Sequence, residues 1–140
     1  MPFVHVYYSE DLSIKQEKLK KISLDIHYAL MEHFNVPEKD YFQLFIPYPS
    51  HNMFVDPSYL LENGEERTEN MLHIAITCGP GRTIEQKKSL YQALATSVSK
   101  RLNISAADVF ITLNETPLEN WSFGQGVAQM VKDKSRIGKD

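Results

Sequence analysis

The sequence repeats itself at an offset of 68 positions (Phe110 less Phe42), and that repeat narrows the folds open to it. "FNVPEKDYFQLF" at 34–45 lies over "LNISAADVFITL" at 102–113, pairing Asn35 with Asn103, Asp40 with Asp108 and Phe42 with Phe110. The same offset sets His5 on His73 and Val6 on Ile74. It also pairs Ile22 with Leu90, Ile26 with Leu94, Leu30 with Val98 and Phe34 with Leu102. These last pairs recur at every fourth position, which is the apolar stripe of an amphipathic helix.

Each half therefore reads strand, helix, strand. "FVHVYY" (3–8) alternates, with Phe3, His5 and Tyr7 on one face and Val4, Val6 and Tyr8 on the other. A helix is predicted over 13–34, and "YFQLFI" (41–46) returns as a strand that Pro47 stops. The second half gives a strand at 71–78, a helix over 84–102 that Thr83 and Gln86 start with a capping box, and a strand at 108–115. A helical crossover makes the two strands of each unit parallel and right-handed. Two β-α-β units, about 2–46 and 70–115, then predict an α+β fold: a four-stranded mixed sheet with two helices on one face. The rest of the chain is punctuation. Residues 47–70 read as a long irregular connection with Pro47, Pro49, Pro57 and Asn63-Gly64, of a length that is usually functional or mobile. Residues 1–130 are expected to form one domain, followed by a polar tail at 131–140.

A sheet covered on one face only must do something with the other. Strands 71–78 and 108–115 carry apolar residues on both sides, so self-association into a closed homo-oligomer is expected. A chain of 140 residues with 42% hydrophobic residues is long enough for one sizeable core. A net charge of −3 gives no nucleic-acid footprint, and no apolar run approaches the roughly 20 residues of a membrane span. No basic stretch followed by an apolar one opens the chain, and a cytoplasmic location is expected. Cys78 is the single cysteine, which excludes an internal disulfide and a cysteine-rich metal site.

Several residues are candidates for chemistry. Pro2 stands immediately before the first strand, and loss of Met1, common before a small residue, leaves a secondary amine there. An α-amino group titrates near about 7.7–8.0, and burial or neighbouring cations move it lower, into the range useful for proton transfer. Proline is equally acceptable as the first residue of a strand with no further role. Arg82 follows Gly79-Pro80-Gly81 and directly precedes the second helix, where a cation does nothing for the helix dipole but, with the free N–H groups of the first turn, suits a carboxylate. A solvated loop arginine is the plainer alternative. Asp40 is a candidate general acid or water-orienting carboxylate; its repeat partner Asp108 points equally to a turn-closing role. Trp121 and Phe123, in "ENWSFGQGVAQ" (119–129), are placed either to wall a pocket or to dock on a neighbouring subunit. His5 and His73 share a repeat position and a strand face, which reads as packing rather than metal ligation, and Cys78 reads as an inert thiol.

Taken in order, "MP" opening a strand, "VPEKDYFQ", "GRTIEQKKSLYQAL", "DVFITLNE" and "WSFGQGVAQ" resemble the tautomerase superfamily over nearly the whole chain. The resemblance is to the branch that includes malonate semialdehyde decarboxylase, and "WSFGQGVAQ" is its most specific block. It implies an amino-terminal proline, here Pro2, as general base or acid, Arg82 as the substrate-carboxylate ligand, and Asp40 as an aid to water or substrate activation. Trp121 and Phe123 would border the pocket, and the assembly would be a homotrimer with sites near subunit boundaries. Neither metal nor organic cofactor is implied. The expected activity is keto-enol tautomerisation of a small 2-oxo acid, with decarboxylation or hydration by a protonated Pro2 as the rival and a non-catalytic trimer binding small acids as a third reading. The decarboxylase carries an arginine pair around a proline where this chain has Gly79-Pro80-Gly81-Arg82, with one arginine, and decarboxylation is not expected as the main activity. One site per chain is expected, since Pro2 falls on Asn70 in the repeat and only Pro2 can present a free amine.

Overall fold

The computed structural model describes residues 1–131; the expected polar tail falls almost wholly outside them. Four strands, β1 (Phe3–Ser9), β2 (Gln43–Tyr48), β3 (Leu72–Cys78) and β4 (Val109–Glu115), form one sheet in the order β2-β1-β3-β4. β1 pairs parallel with β2 and β3 with β4, while β1 and β3 run antiparallel at the centre. Helices α1 (Gln16–Phe34) and α2 (Ile84–Leu102) cross between the strands of each half. The duplicated β-α-β reading is the observed fold.

The repeat shows in the details of the helices. Thr83 and Gln86 make the reciprocal capping box at the start of α2. Asn35 and Asn103, paired by the repeat, end α1 and α2 in the left-handed conformation at φ 54° and 56°, which asparagine tolerates better than most residues. The predicted stripes are buried: Ile22, Ile26, Leu30 and Phe34 of α1, and Leu90, Leu94 and Val98 of α2. They pack on Val4 and Val6 of β1 and Leu72, Ile74 and Ile76 of β3 in one core. Burying each such side chain contributes about 1.5–3 kcal/mol.

Boundaries differ from expectation at α1 and at both ends of β2, which begins at Gln43 rather than at 41. α1 begins at Gln16 rather than at 13, because Glu10–Leu12 form a short 3-10 turn and Ser13 is left-handed at φ 47°. Pro47 does not stop β2, which runs on to Tyr48 with Pro47 opposite Tyr8. β2 is an edge strand, where a missing N–H leaves no ladder bond empty on the outer side.

The face away from the helices carries a row of rings. Phe3 stacks on His5 at 4.7 Å between centroids, His5 on Tyr7 at 6.2 Å, Tyr7 on His73 at 5.8 Å, and His73 meets Phe110 edge-on at 5.5 Å. His73 Nε2 also pairs with Thr112 Oγ1 at 2.8 Å. Both repeat histidines are thus packing residues of the open face.

Candidate active site

The antiparallel pairing of β1 and β3 creates the site. Phe3 lies opposite Thr77, so the start of the chain comes to rest beside Cys78 and Gly79, where β3 ends and the glycine-rich connection to α2 begins. Pro2 is buried there. The Met1 amine donates to Asp40 Oδ2 at 2.8 Å, with the Met1 and Asp40 side chains only 9% and 15% exposed.

The loop that carries Asp40 is fastened from below. His27 of α1 donates from Nε2 to the Glu38 carbonyl at 2.7 Å and stacks on the Tyr41 ring at 4.5 Å. The Asp40 N–H closes a turn onto the Pro37 carbonyl at 3.0 Å. Asp40 therefore lies in the turn that precedes β2. Its second oxygen, Oδ1, is buried and has no protein partner, so one acceptor of the carboxylate is unused.

Arg82 is half-buried and held by backbone carbonyls outside α2. Nη2 donates to the Phe34 carbonyl at 3.0 Å and Nη1 to the Gly79 carbonyl at 3.3 Å, with the guanidinium 5.1 Å from the Phe34 ring centre. The cation thus closes the C-terminal end of α1, where the helix dipole favours positive charge. This attachment joins the two halves of the repeat and fixes the head of the guanidinium beside the chain start.

Further charge gathers at the carboxyl ends of β3 and β4. Lys87 Nζ donates to Glu115 Oε1 at 2.6 Å, which holds the Glu115 carboxyl below and the Lys87 ammonium above its ordinary range. Cys78 is 1% exposed, and burial pushes its thiol up. The opposing influences on that thiol are the charges of Arg82, the amino terminus and Lys87, so all three reach one corner. Lys87 and Glu115 were not singled out in the sequence. The place of Glu115 at a strand's carboxyl end was the signal available, since sites gather outside such ends.

Trp121 and Phe123 belong to a run of rings that reaches the first strand. Trp121 stacks on Phe123 at 5.6 Å, Phe123 tilts on Phe42 at 5.5 Å, and Phe42 stacks on Phe3 at 6.4 Å. The segment is laced by Gln129, which accepts from the Phe123 N–H at 2.8 Å and donates to the Gly124 carbonyl at 2.9 Å. Trp121 Nε1 is buried without a partner. Sequence reasoning missed Gly79 and Leu118, which the Thr116 N–H to Cys78 carbonyl bond (2.9 Å) draws to the same corner. Among the described residues, no group of three or more His, Cys, Asp or Glu is placed to hold a metal ion. No described helix is long and apolar enough to cross a membrane.

A four-stranded mixed sheet built from two β-α-β units, with both helices on one face, is the tautomerase fold. The chain belongs to the tautomerase family: residues 40–124 match the family model described as tautomerase enzyme. It is 41% identical over 132 residues to Probable tautomerase YusQ of Bacillus subtilis (strain 168), covering 94% of this chain and all of that one. Among solved structures it is similar to a malonate semialdehyde decarboxylase inhibited by 3-bromopropiolate, at 28% identity and a TM-score of 0.79 over 91% of this chain and 92% of the other. A fused 4-OT symmetric trimer shares the fold at 19% identity and a TM-score of 0.75, over 91% and 96% of the two chains.

Proposed function

We propose that the protein is a cofactor-independent tautomerase of small 2-oxo acids or their enols, with the Pro2 nitrogen as proton carrier once Met1 is removed. The observation that carries the reading is the contact of the Met1 amine with Asp40 at 2.8 Å. Consecutive Cα atoms are about 3.8 Å apart, so loss of one residue leaves the new amine within reach of the same carboxylate. The base takes a proton from the carbon next to the carbonyl and returns it to carbon or oxygen. Arg82 holds the substrate carboxylate or the developing enolate oxygen, Asp40 is the second proton carrier, and Trp121 and Phe123 border the pocket.

The same contact favours a second reading. A carboxylate at that distance can form a charge-assisted hydrogen bond with an ammonium, a pairing that suits an amine that gives a proton, as in decarboxylation of a 3-oxo acid or hydration of an unsaturated one. The likeness to a malonate semialdehyde decarboxylase points the same way. The pH profile on phenylenolpyruvate and on 3-oxo acids separates the two: rate rising with pH as the amine loses its proton means a base, rate falling means an acid.

The protein is further proposed to work as a homotrimer in the cytoplasm, the open sheet face lying between subunits. Leu44 and Phe110 are 49% and 42% exposed on that face, and a fused 4-OT trimer shares the fold. The decisive kinetic test is Pro2→Ala. A general base contributes about 10²–10⁴-fold, so kcat on phenylenolpyruvate should fall at least a hundredfold in protein whose mass shows Met1 absent. An unchanged rate would sink the reading.

A further inference from the structure

Met1 reaches the candidate site with both of its ends. Its amine meets Asp40, and its thioether methyl lies over Gly79: a Cβ added at Gly79 would stand 2.5 Å from Met1 Cε and 3.4 Å from Leu118 Cδ2. A Cβ at the first of these distances would displace the methyl end of Met1, so a side chain at Gly79 would enter the space that this methyl occupies. The Met1 side chain is 9% exposed, so it fills a lined slot rather than lying on the surface. Because Met1 is bonded to the Pro2 nitrogen, its removal empties a volume that starts at that nitrogen, passes Asp40 and ends at Gly79 and Leu118.

The emptied slot has the shape of what filled it, an unbranched apolar chain of about four heavy atoms. Its end wall is a glycine and a leucine. The Gly79 carbonyl is bonded on its other side by Arg82 Nη1 at 3.3 Å, so a cation and an apolar floor meet at one residue. That combination suits a ligand with a carboxylate at one place and a hydrocarbon substituent at the next.

We propose that this slot takes the hydrocarbon substituent on C3 of a 2-oxo acid, and that Gly79 and Leu118 set the limit on its length. The proposal rests on the reading of Pro2 as proton carrier. In the step, the C3–H bond breaks and its proton goes to the Pro2 nitrogen. The freed electron pair forms the C2–C3 double bond, while the carbonyl pair moves onto oxygen. Return of a proton to C3 restores the ketone, so in heavy water the net result is exchange of C3 hydrogen for deuterium.

That exchange is the test. Protein with Met1 removed is assayed by proton NMR on pyruvate, 2-oxobutanoate, 2-oxopentanoate, 2-oxohexanoate and longer straight-chain homologues, each rate normalised to exchange by prolinamide in solution. Burial of a methylene corresponds to about fourfold in binding, so kcat/KM should climb by about that factor per carbon and break off near the length of a methionine side chain. The branched 3-methyl-2-oxobutanoate should fall below its straight isomer. In Gly79→Ala the ratio of long-chain to pyruvate kcat/KM should drop about tenfold or more. In Leu118→Ala, a change at a 42% exposed residue, the break should move to a longer chain. A flat series, or equal loss on every substrate in Gly79→Ala with no shift in Leu118→Ala, overturns the slot while leaving Pro2-dependent exchange intact. Length dependence that survives Pro2→Ala supports the slot and overturns Pro2 as the base.

Discussion

Asp40 and Asp108, repeat partners, each fasten the lead-in to the first strand of their own half. Asp108 accepts from the Thr68 N–H at 2.6 Å and the Thr68 hydroxyl at 2.7 Å, just before β3. Asp40 accepts from the Met1 amine, just before β1. The fold thus asks the same structural service of both aspartates. What differs is the partner, a backbone amide and hydroxyl in one half and an amine in the other, and the unused buried oxygen that only Asp40 retains. The structural and chemical readings of Asp40 are compatible for that reason.

The two substitutions should therefore separate. Asp108 is 1% exposed, and Asp108→Ala leaves two donors unpaired, so it should cost about 2–4 kcal/mol of stability in urea unfolding. Asp40→Ala should cost about 1 kcal/mol, yet lower kcat and displace the pH profile of the Pro2-dependent reaction. Equal effects on the pH profile from both variants would remove Asp40 from the chemistry.

Arg82 couples α1 to the site through a planar fork, so charge alone does not replace it. Arg82→Lys keeps the cation but loses the two-pronged contact with the Phe34 and Gly79 carbonyls. KM for an acid substrate should rise about tenfold or more, with a lower Tm. Arg82→Ala should raise KM further. A KM unchanged in both variants would mean that the carboxylate is bound elsewhere.

Alkaline stability follows from two acids, the buried Cys78 thiol and the half-buried Tyr48 hydroxyl. Burial pushes the Cys78 thiol above its ordinary 9.0, and burial together with the Asp108 carboxylate pushes the Tyr48 hydroxyl above 10.0. The folded protein holds these protons more tightly than the unfolded chain does. Their contribution is thus fully present below about pH 9 and is lost as pH rises through the folded values. The urea midpoint should fall as pH rises above about 9, and less steeply in Cys78→Ala. The native thiol should react with a disulfide reagent far more slowly than the unfolded one.

Assembly is read from the open face. Phe110→Lys places a charge at a 42% exposed position of β4 without touching the core under the helices. Light scattering should show a trimer for the parent and a shift toward the single-chain mass for the variant. A parent that is monomeric at working concentration would overturn the trimer.

Much of the fold was legible because it is coded locally. α2 starts at Ile84 and ends at Leu102 as predicted, since its cap, stripe and terminal asparagine all lie within one stretch of chain. α1 was less legible at its start, because Ser13 takes a left-handed turn that no pattern in its neighbours demands. Pro47 misled for a different reason. Whether a proline ends a strand depends on which side of the sheet is empty, and that is a property of strand order.

The sequence by itself determined the duplication, the alternation of elements, the apolar stripes and the identity of Pro2, Asp40 and Arg82 as residues out of the ordinary, because each rests on spacing along the chain. Only the tertiary structure decided what those residues touch. The antiparallel meeting of β1 and β3 brings the chain start against Gly79, across some eighty residues of sequence. The docking of α1 beside α2 gives Arg82 the Phe34 carbonyl, and the ends of β3 and β4 gather Lys87 with Glu115. Contacts of that kind are set by how whole elements pack, and periodicity within an element carries no information about its neighbour's end.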